Sequence, residues 1–190
     1  MRFIPHQKRL SHGFTLIESL IALVVLAITC SIAFPSFQKA RQTILVANQS
    51  AALTSLFQLA QSRAVKENRP YIVSLVSDND IDCIIAKEKA PAMIHASASQ
   101  STQPLNCHQT KALMVRLDKH VTVKQKGEQG WKAQTDGDLF SIDFRTQRPN
   151  INLTLGLGAK ETKQPDYLVQ VRQYLGFGHC KNKSQNDACS

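Results

Sequence analysis

The chain has 190 residues, 43% of them hydrophobic and 19% charged, with a formal net charge of +9. That balance excludes a disordered chain, and the length leaves about one domain once an N-terminal apolar run is set aside. The positive charge suits polyanions or anionic surfaces as partners and says nothing about the fold.

The first element is membrane-like. Residues 14–34 form a run of 21 with a single charge, Glu18, and Arg2, Lys8 and Arg9 precede it. As a helix this run spans about 31 Å, enough to cross a hydrocarbon core. The basic residues hold its start in the cytoplasm, so whatever follows is exported. The run exceeds the core of a secretory signal and has no clean small-x-small site after it, so it reads as a retained anchor. A carboxylate near one end of such a helix is costly unless it is paired or reaches the interface. Glu18 is therefore the informative residue.

The stretch Gly13-Phe14-Thr15-Leu16-Ile17-Glu18, followed at once by an apolar helix, resembles the prepilin peptidase recognition motif. That motif belongs to type IV pilins and type II secretion pseudopilins. The resemblance implies cleavage after Gly13, N-methylation of Phe14 and an assembly role for Glu18. Removal of the leader takes three positive charges from +9 and leaves +6. It also creates an α-amino group four residues before Glu18. In a helical assembly Glu18 of one subunit then neutralises the amine of the next. Pro35 matches the proline at which the anchor helix of these proteins leaves the membrane, and the stretch before it is known to lose helical form in assembled pili.

Beyond Pro35 a second helical stretch is expected to about Asn68. Leu53, Leu56, Phe57, Ala60 and Ala64 make one apolar face, with Arg41, Gln42, Gln49, Gln58 and Lys66 off it. Arg69-Pro70 ends the pattern. After Pro70 the texture is of short strands, at 71–77, 81–86, 112–117, 121–125, 139–144, 151–155 and 167–174. Asp78-Asn79-Asp80 is the first turn, and 91–109 reads as a long loop. Gly127, Gly130, Gly137, Pro149, Gly156, Gly158 and Pro165 are expected in turns. One long helix followed by antiparallel strands is an α+β head.

Five cysteines complete the inventory. Cys30 lies in the apolar run and reads as a free packing residue. Four remain in the exported part, so two disulfides are expected there. Three pairings are possible. Cys83–Cys107 and Cys180–Cys189 each close a short local loop and are favoured. His108 and His179 adjoin cysteines, yet no C-x-x-C pair occurs, and no metal site is expected. Asp136 and Asp138 flank Gly137 as turn formers rather than as a catalytic pair. No nucleophile–base pattern is present, so no enzyme activity, catalytic residue or cofactor is expected.

A second resemblance, to the GspH/FimT family of minor pilins and pseudopilins, is carried by two stretches near the helix. These are Ala33-Phe34-Pro35-Ser36-Phe37 and Leu59-Ala60-Gln61-Ser62-Arg63-Ala64-Val65-Lys66-Glu67-Asn68-Arg69-Pro70. Ile142-Asp143-Phe144 and a final strand pair over 169–180 add to it. The resemblance implies a type IV pilin fold in four parts: a leader at 1–13, a transmembrane assembly helix at 14–35, an amphipathic helical half at 36–69 and a β-rich head at 70–190. It implies an inner-membrane protein with a periplasmic head that moves into a pilus or pseudopilus. Its partners would be other major and minor pilins, through the helix, and the prepilin peptidase. Pilus assembly for twitching motility or DNA uptake is the implied role, with a type II secretion pseudopilin as the alternative. DNA-binding members carry Gly-Arg-x-Arg on their last strands. Here the stretch reads Gly176-Phe177-Gly178-His179, without either arginine. Arg172, Lys181 and Lys183 flank it as candidate DNA contacts, with Tyr174 and Phe177 as stacking faces. The simpler arrangement packs Phe177 under a Cys180–Cys189 loop and leaves the lysines solvated.

Overall fold

The computed structural model describes residues 15–78, 81–89, 106–108, 113–128, 130–160 and 162–182. The element order is α1 (Leu16–Glu67), then β1 (Tyr71–Asp78), β2 (Ile81–Glu88), β3 (Leu113–Arg116), β4 (Val121–Gly127), β5 (Gly130–Ala133), β6 (Gly137–Asp143), β7 (Arg148–Pro149), β8 (Leu153–Ala159), β9 (Tyr167–Arg172) and β10 (Gly176–Lys181). The chain divides into two compact units, Met1–Arg41 and Gln42–Ser190.

In the first unit α1 continues through Pro35, where the sequence suggested a break between two helical stretches. Proline has no N–H, so the Ser31 carbonyl loses its usual partner at that point. The helix tolerates this single loss because its neighbouring turns are intact.

In the second unit α1 supplies one face of the core. Val46, Ser50, Leu53, Thr54, Leu56, Phe57, Ala60 and Ala64 are buried. Their three- and four-residue spacing lays them along one stripe, and all five residues of the predicted apolar face are among them. The buried hydroxyls are satisfied within the helix: Ser50 donates to the Ala47 carbonyl at 2.7 Å and Thr54 to that of Ser50 at 3.0 Å. A helix to about Asn68, ended by Arg69-Pro70, was expected, and α1 ends at Glu67. Asn68 takes a left-handed conformation, φ 55°. Its N–H donates to the Val65 carbonyl at 3.2 Å, and the Arg69 N–H to that of Ala64 at 3.1 Å. These are the two bonds of a Schellman cap, and Pro70 prevents any continuation.

The strands form two five-stranded antiparallel sheets, ordered β3-β2-β1-β6-β7 and β10-β9-β8-β4-β5. The architecture is α+β, with the helix packed on both sheets. Inward residues of both contribute to one core, including Val73, Ile84, Phe140, Ile142, Leu155, Leu157, Val169 and Val171. Phe57 joins the layers: its ring meets Phe140 of β6 edge-on at 5.0 Å and Phe177 of β10 at 5.7 Å. Cys83 of β2 bonds Cys107, with Cα atoms 5.8 Å apart, and both cysteines are buried beside Ile85.

The strand reading needs two corrections. β5 and β7 were not anticipated, because two-to-four-residue strands carry too little alternation to detect, whereas β9 and β10 are the strand pair expected over 169–180. Most of the predicted 91–109 loop lies outside the described residues. Gly156 and Gly158 stand inside β8 rather than in a turn. The reason is close packing: a Cβ on Gly156 would lie 2.5 Å from the Pro165 ring and 2.7 Å from Trp131, and one on Gly158 2.9 Å from Thr162. Only glycine lets the 160–166 connection lie this near the sheet.

Candidate functional site: the start of the N-terminal helix

Thr15 sets where α1 begins. Its side-chain oxygen accepts from the Glu18 N–H at 3.3 Å, and its carbonyl accepts from the N–H groups of Glu18 and Ser19, each at 3.1 Å. Thr15 is thus the N-cap and Glu18 the third helical residue, the spacing of a capping box. The sequence reading did not single out Thr15, although Thr15-x-x-Glu18 is the pattern that would have found it. Glu18 lies in the first turn and is exposed. There its carboxylate meets the positive end of the helix dipole.

Behind Glu18 the helix presents an apolar surface. Leu20, Ile21, Leu23, Val24, Val25, Leu26, Ile28, Ile32, Phe34 and Phe37 are all exposed. This is one helix long and apolar enough to cross a membrane. Three of its hydroxyls do not need water. Ser19 donates to the Thr15 carbonyl at 3.4 Å, Thr29 to those of Leu26 and Val25 at 2.9 and 3.1 Å, and Ser31 to that of Ala27 at 2.8 Å. With these groups satisfied internally, Glu18 is the one charged side chain left in the stretch from Thr15 to Gln38. Cys30 is free and exposed on this surface. Gly13 and Phe14, the expected cleavage and methylation positions, lie outside the described residues.

The C-terminal candidates do not converge into one site. Arg172 ends β9, is half-buried, and donates to the Gln170 side-chain oxygen. Lys181 ends β10 and is exposed. Lys183 and Cys189 lie outside the described residues, and Cys180 is disulfide-bonded. Phe177 packs against Phe57 and Phe140 at the edge of the core, which takes its ring away from stacking; the loop expected over it lies outside the described residues. Tyr174 is exposed, and the Arg148 guanidinium lies over its ring at 4.8 Å. Arg148 was not anticipated; its neighbour across the fold is 26 residues away in sequence, beyond the reach of local pattern. Asp136 and Asp138 brace β1. Asp138 accepts from the Ser74 hydroxyl at 2.6 Å and Asp136 from the Ser77 N–H at 2.7 Å. Among the described residues no group of three or more His, Cys, Asp or Glu is arranged to hold a metal.

Comparisons with known proteins agree with the first of these regions. Residues 8–34 match the model of the prokaryotic N-terminal methylation motif. No match to a curated protein was found. Among solved structures, the chain is similar to the minor pseudopilin EpsH from the type 2 secretion system of Vibrio cholerae, at 10% identity and a TM-score of 0.49, over 74% of this chain and 99% of that one. A likeness at that level adds no functional argument. The motif matched at residues 8–34 runs directly into the exposed apolar helix, as the resemblance to type IV pilin-like proteins of the GspH/FimT type implies.

Proposed function

We infer that the chain is a minor pilin, a structural subunit that enters a pilus through its N-terminal helix. In this reading it is held by a single span in the inner membrane with its head in the periplasm. Prepilin peptidase cuts after Gly13, and Phe14 becomes the N-methylated first residue. The observation that carries the reading is the position of Glu18, the lone charge of an exposed apolar stretch, in the first turn behind the Thr15 cap. A carboxylate placed there pairs with the new α-amine of an adjacent subunit once the helices pack side by side and exclude water. Other major and minor pilins are its partners. Cys180 and Cys189 form the second disulfide of the head.

Glu18→Ala should be processed normally and fail to enter pili. Normal incorporation on immunoblots of sheared filaments would remove the neutralisation step. Gly13→Ala should leave only precursor-sized protein, and a mature-sized band would refute the cleavage position. Pilus and secretion roles separate by phenotype: deletion should impair twitching motility or DNA uptake, whereas a loss of protein secretion with intact motility would assign a type II secretion pseudopilus. The reading as a DNA-capturing head has less support. Arg172 is already bonded to Gln170, and Phe177 packs against Phe57 and the core. If the exposed Lys181 and the neighbouring Lys183 hold DNA, replacing both should weaken duplex binding and lower its salt slope by about 0.9 per lost phosphate contact.

A further inference from the structure

We propose that the outer face of the second sheet, beside the β9–β10 hairpin, binds a carboxylated sugar residue of an acidic polysaccharide. A cleft of about 420 Å³ opens there, bordered by Asn152, Thr154, Gln170, Arg172, Tyr174 and Leu175. A smaller hollow of about 110 Å³ shares Gln170, Arg172 and Leu175 with it and runs over Gly176 and Gly178. Strand register explains this composition. Val169 and Val171 belong to the core, so Gln170 between them turns outward, in line with Thr154 of β8 and Gly178 of β10. Arg172 comes next along the same face, opposite Gly176.

The cleft has a polar side chain out of water. Gln170 is 5% exposed although it lies on the outer face. Its side-chain oxygen accepts from the Arg172 guanidinium, which fixes that cation in the wall of the cleft. A guanidinium carries more N–H donors than this one bond uses, and among the described residues no carboxylate forms an ion pair with Arg172. The lining contains no aspartate or glutamate, and Arg148 over the Tyr174 ring adds a second positive charge at the rim. A carboxylate meets such a planar fork with a pair of parallel hydrogen bonds.

The other features favour a sugar as the bearer of that carboxylate. A Cβ on Gly176 or Gly178 would meet nothing within 4 Å among the described residues. Bare backbone beside Gln170 and Arg172 therefore makes a shelf on which a ring lies flat. Sugar hydroxyls both donate and accept, and the side chains of Asn152, Thr154 and Gln170 carry atoms of both kinds. The Gln173 N–H donates to the Asn152 oxygen at 2.9 Å and so sets the orientation of that amide. Duplex DNA fits less well. It is held by rows of phosphate contacts, whereas here one half-buried guanidinium serves a cleft of small-ligand size. The site lies wholly in the head, so it goes beyond assembly through Glu18 and stands or falls apart from it.

The test is calorimetric titration of the full-length protein in detergent, at low salt, with trigalacturonate, its methyl ester and a short DNA duplex. Trigalacturonate should bind, and the uncharged ester should bind about tenfold or more weakly. Arg172→Gln should lower trigalacturonate affinity by about tenfold or more, and Arg172→Lys should recover only part of it, because an ammonium offers no fork. Gly178→Val should fill the shelf and weaken binding with no fall in the unfolding midpoint of the head. Three results would overturn the proposal: no binding of trigalacturonate, equal affinity for acid and ester, or wild-type affinity in both Arg172→Gln and Gly178→Val. A duplex that binds through Arg172 while trigalacturonate does not would assign the cleft to nucleic acid instead.

Discussion

Up to Arg41, α1 exposes leucine, isoleucine, valine and phenylalanine along its length, whereas from Val46 onward Leu53, Leu56, Phe57, Ala60 and Ala64 face the sheets and are buried, with Leu59 and Val65 left exposed off that stripe. Apart from the bond lost at Pro35, the helical hydrogen bonding is the same in both stretches. What differs is the solvent each is built for. The first half satisfies the hydroxyls of Ser19, Thr29 and Ser31 on its own carbonyls and keeps its charge at the end, as lipid requires. The second half narrows its apolar residues to one stripe and leaves Gln58, Lys66 and Glu67 in water. A helix exposed on all sides needs only composition to define it. A half-buried helix needs periodicity as well.

This contrast is open to direct attack. Phe57→Ala should destabilise the head by about 3–5 kcal/mol, because it removes the ring that meets both Phe140 and Phe177. Ile28→Ala, in the exposed half, should leave head unfolding within about 0.5 kcal/mol of wild type. Equal effects in chemical denaturation would erase the distinction between the halves. Replacing Cys83 and Cys107 together by serine should lower head stability by about 3 kcal/mol, since the bond closes a loop of 24 residues in sequence separation. Gly156→Ala should lower it by about 1–3 kcal/mol, because a methyl there collides with Pro165 and Trp131. An unchanged midpoint would mean that the 160–166 connection moves away freely.

The smallest expected effect is a pH dependence where the helix meets the sheet. Burial, followed by the Glu67 carboxylate that accepts its hydrogen bond at 2.6 Å, pushes the Tyr71 hydroxyl above its ordinary value of 10.0. The folded head then holds this proton more tightly than the unfolded chain does. Its contribution is fully present below pH 10.0 and is lost as pH rises through the raised value. The fall in stability above pH 10.0 should be shallower in Tyr71→Phe than in wild type, and identical slopes would remove Tyr71 as the cause.

The sequence was most legible where local pattern and physics coincide. The apolar run with Glu18 was readable because a lone charge in hydrocarbon is conspicuous. The Leu53-to-Ala64 stripe was readable because a period of 3.6 is local. Thr15 was equally readable from its spacing to Glu18 and was passed over. Other features were not open to such reading. Gly156 and Gly158 look like turn residues in one dimension, and only the approach of Pro165 and Trp131 explains them. Phe177 sits in a glycine-rich strand whose alternation is faint, so its place against Phe57 and Phe140 depends on how β10 joins β9.

Sequence by itself determined the membrane-like segment, the place of its one charge, the amphipathic half of the helix and the α+β class. Each of these follows from the order of residues within a few turns of chain. Tertiary structure alone decided that Phe57 ties two sheets together, that glycines lie within β8, and that Arg148 meets Tyr174. Those contacts join residues far apart in the chain, and their energy comes from close packing that no local pattern records.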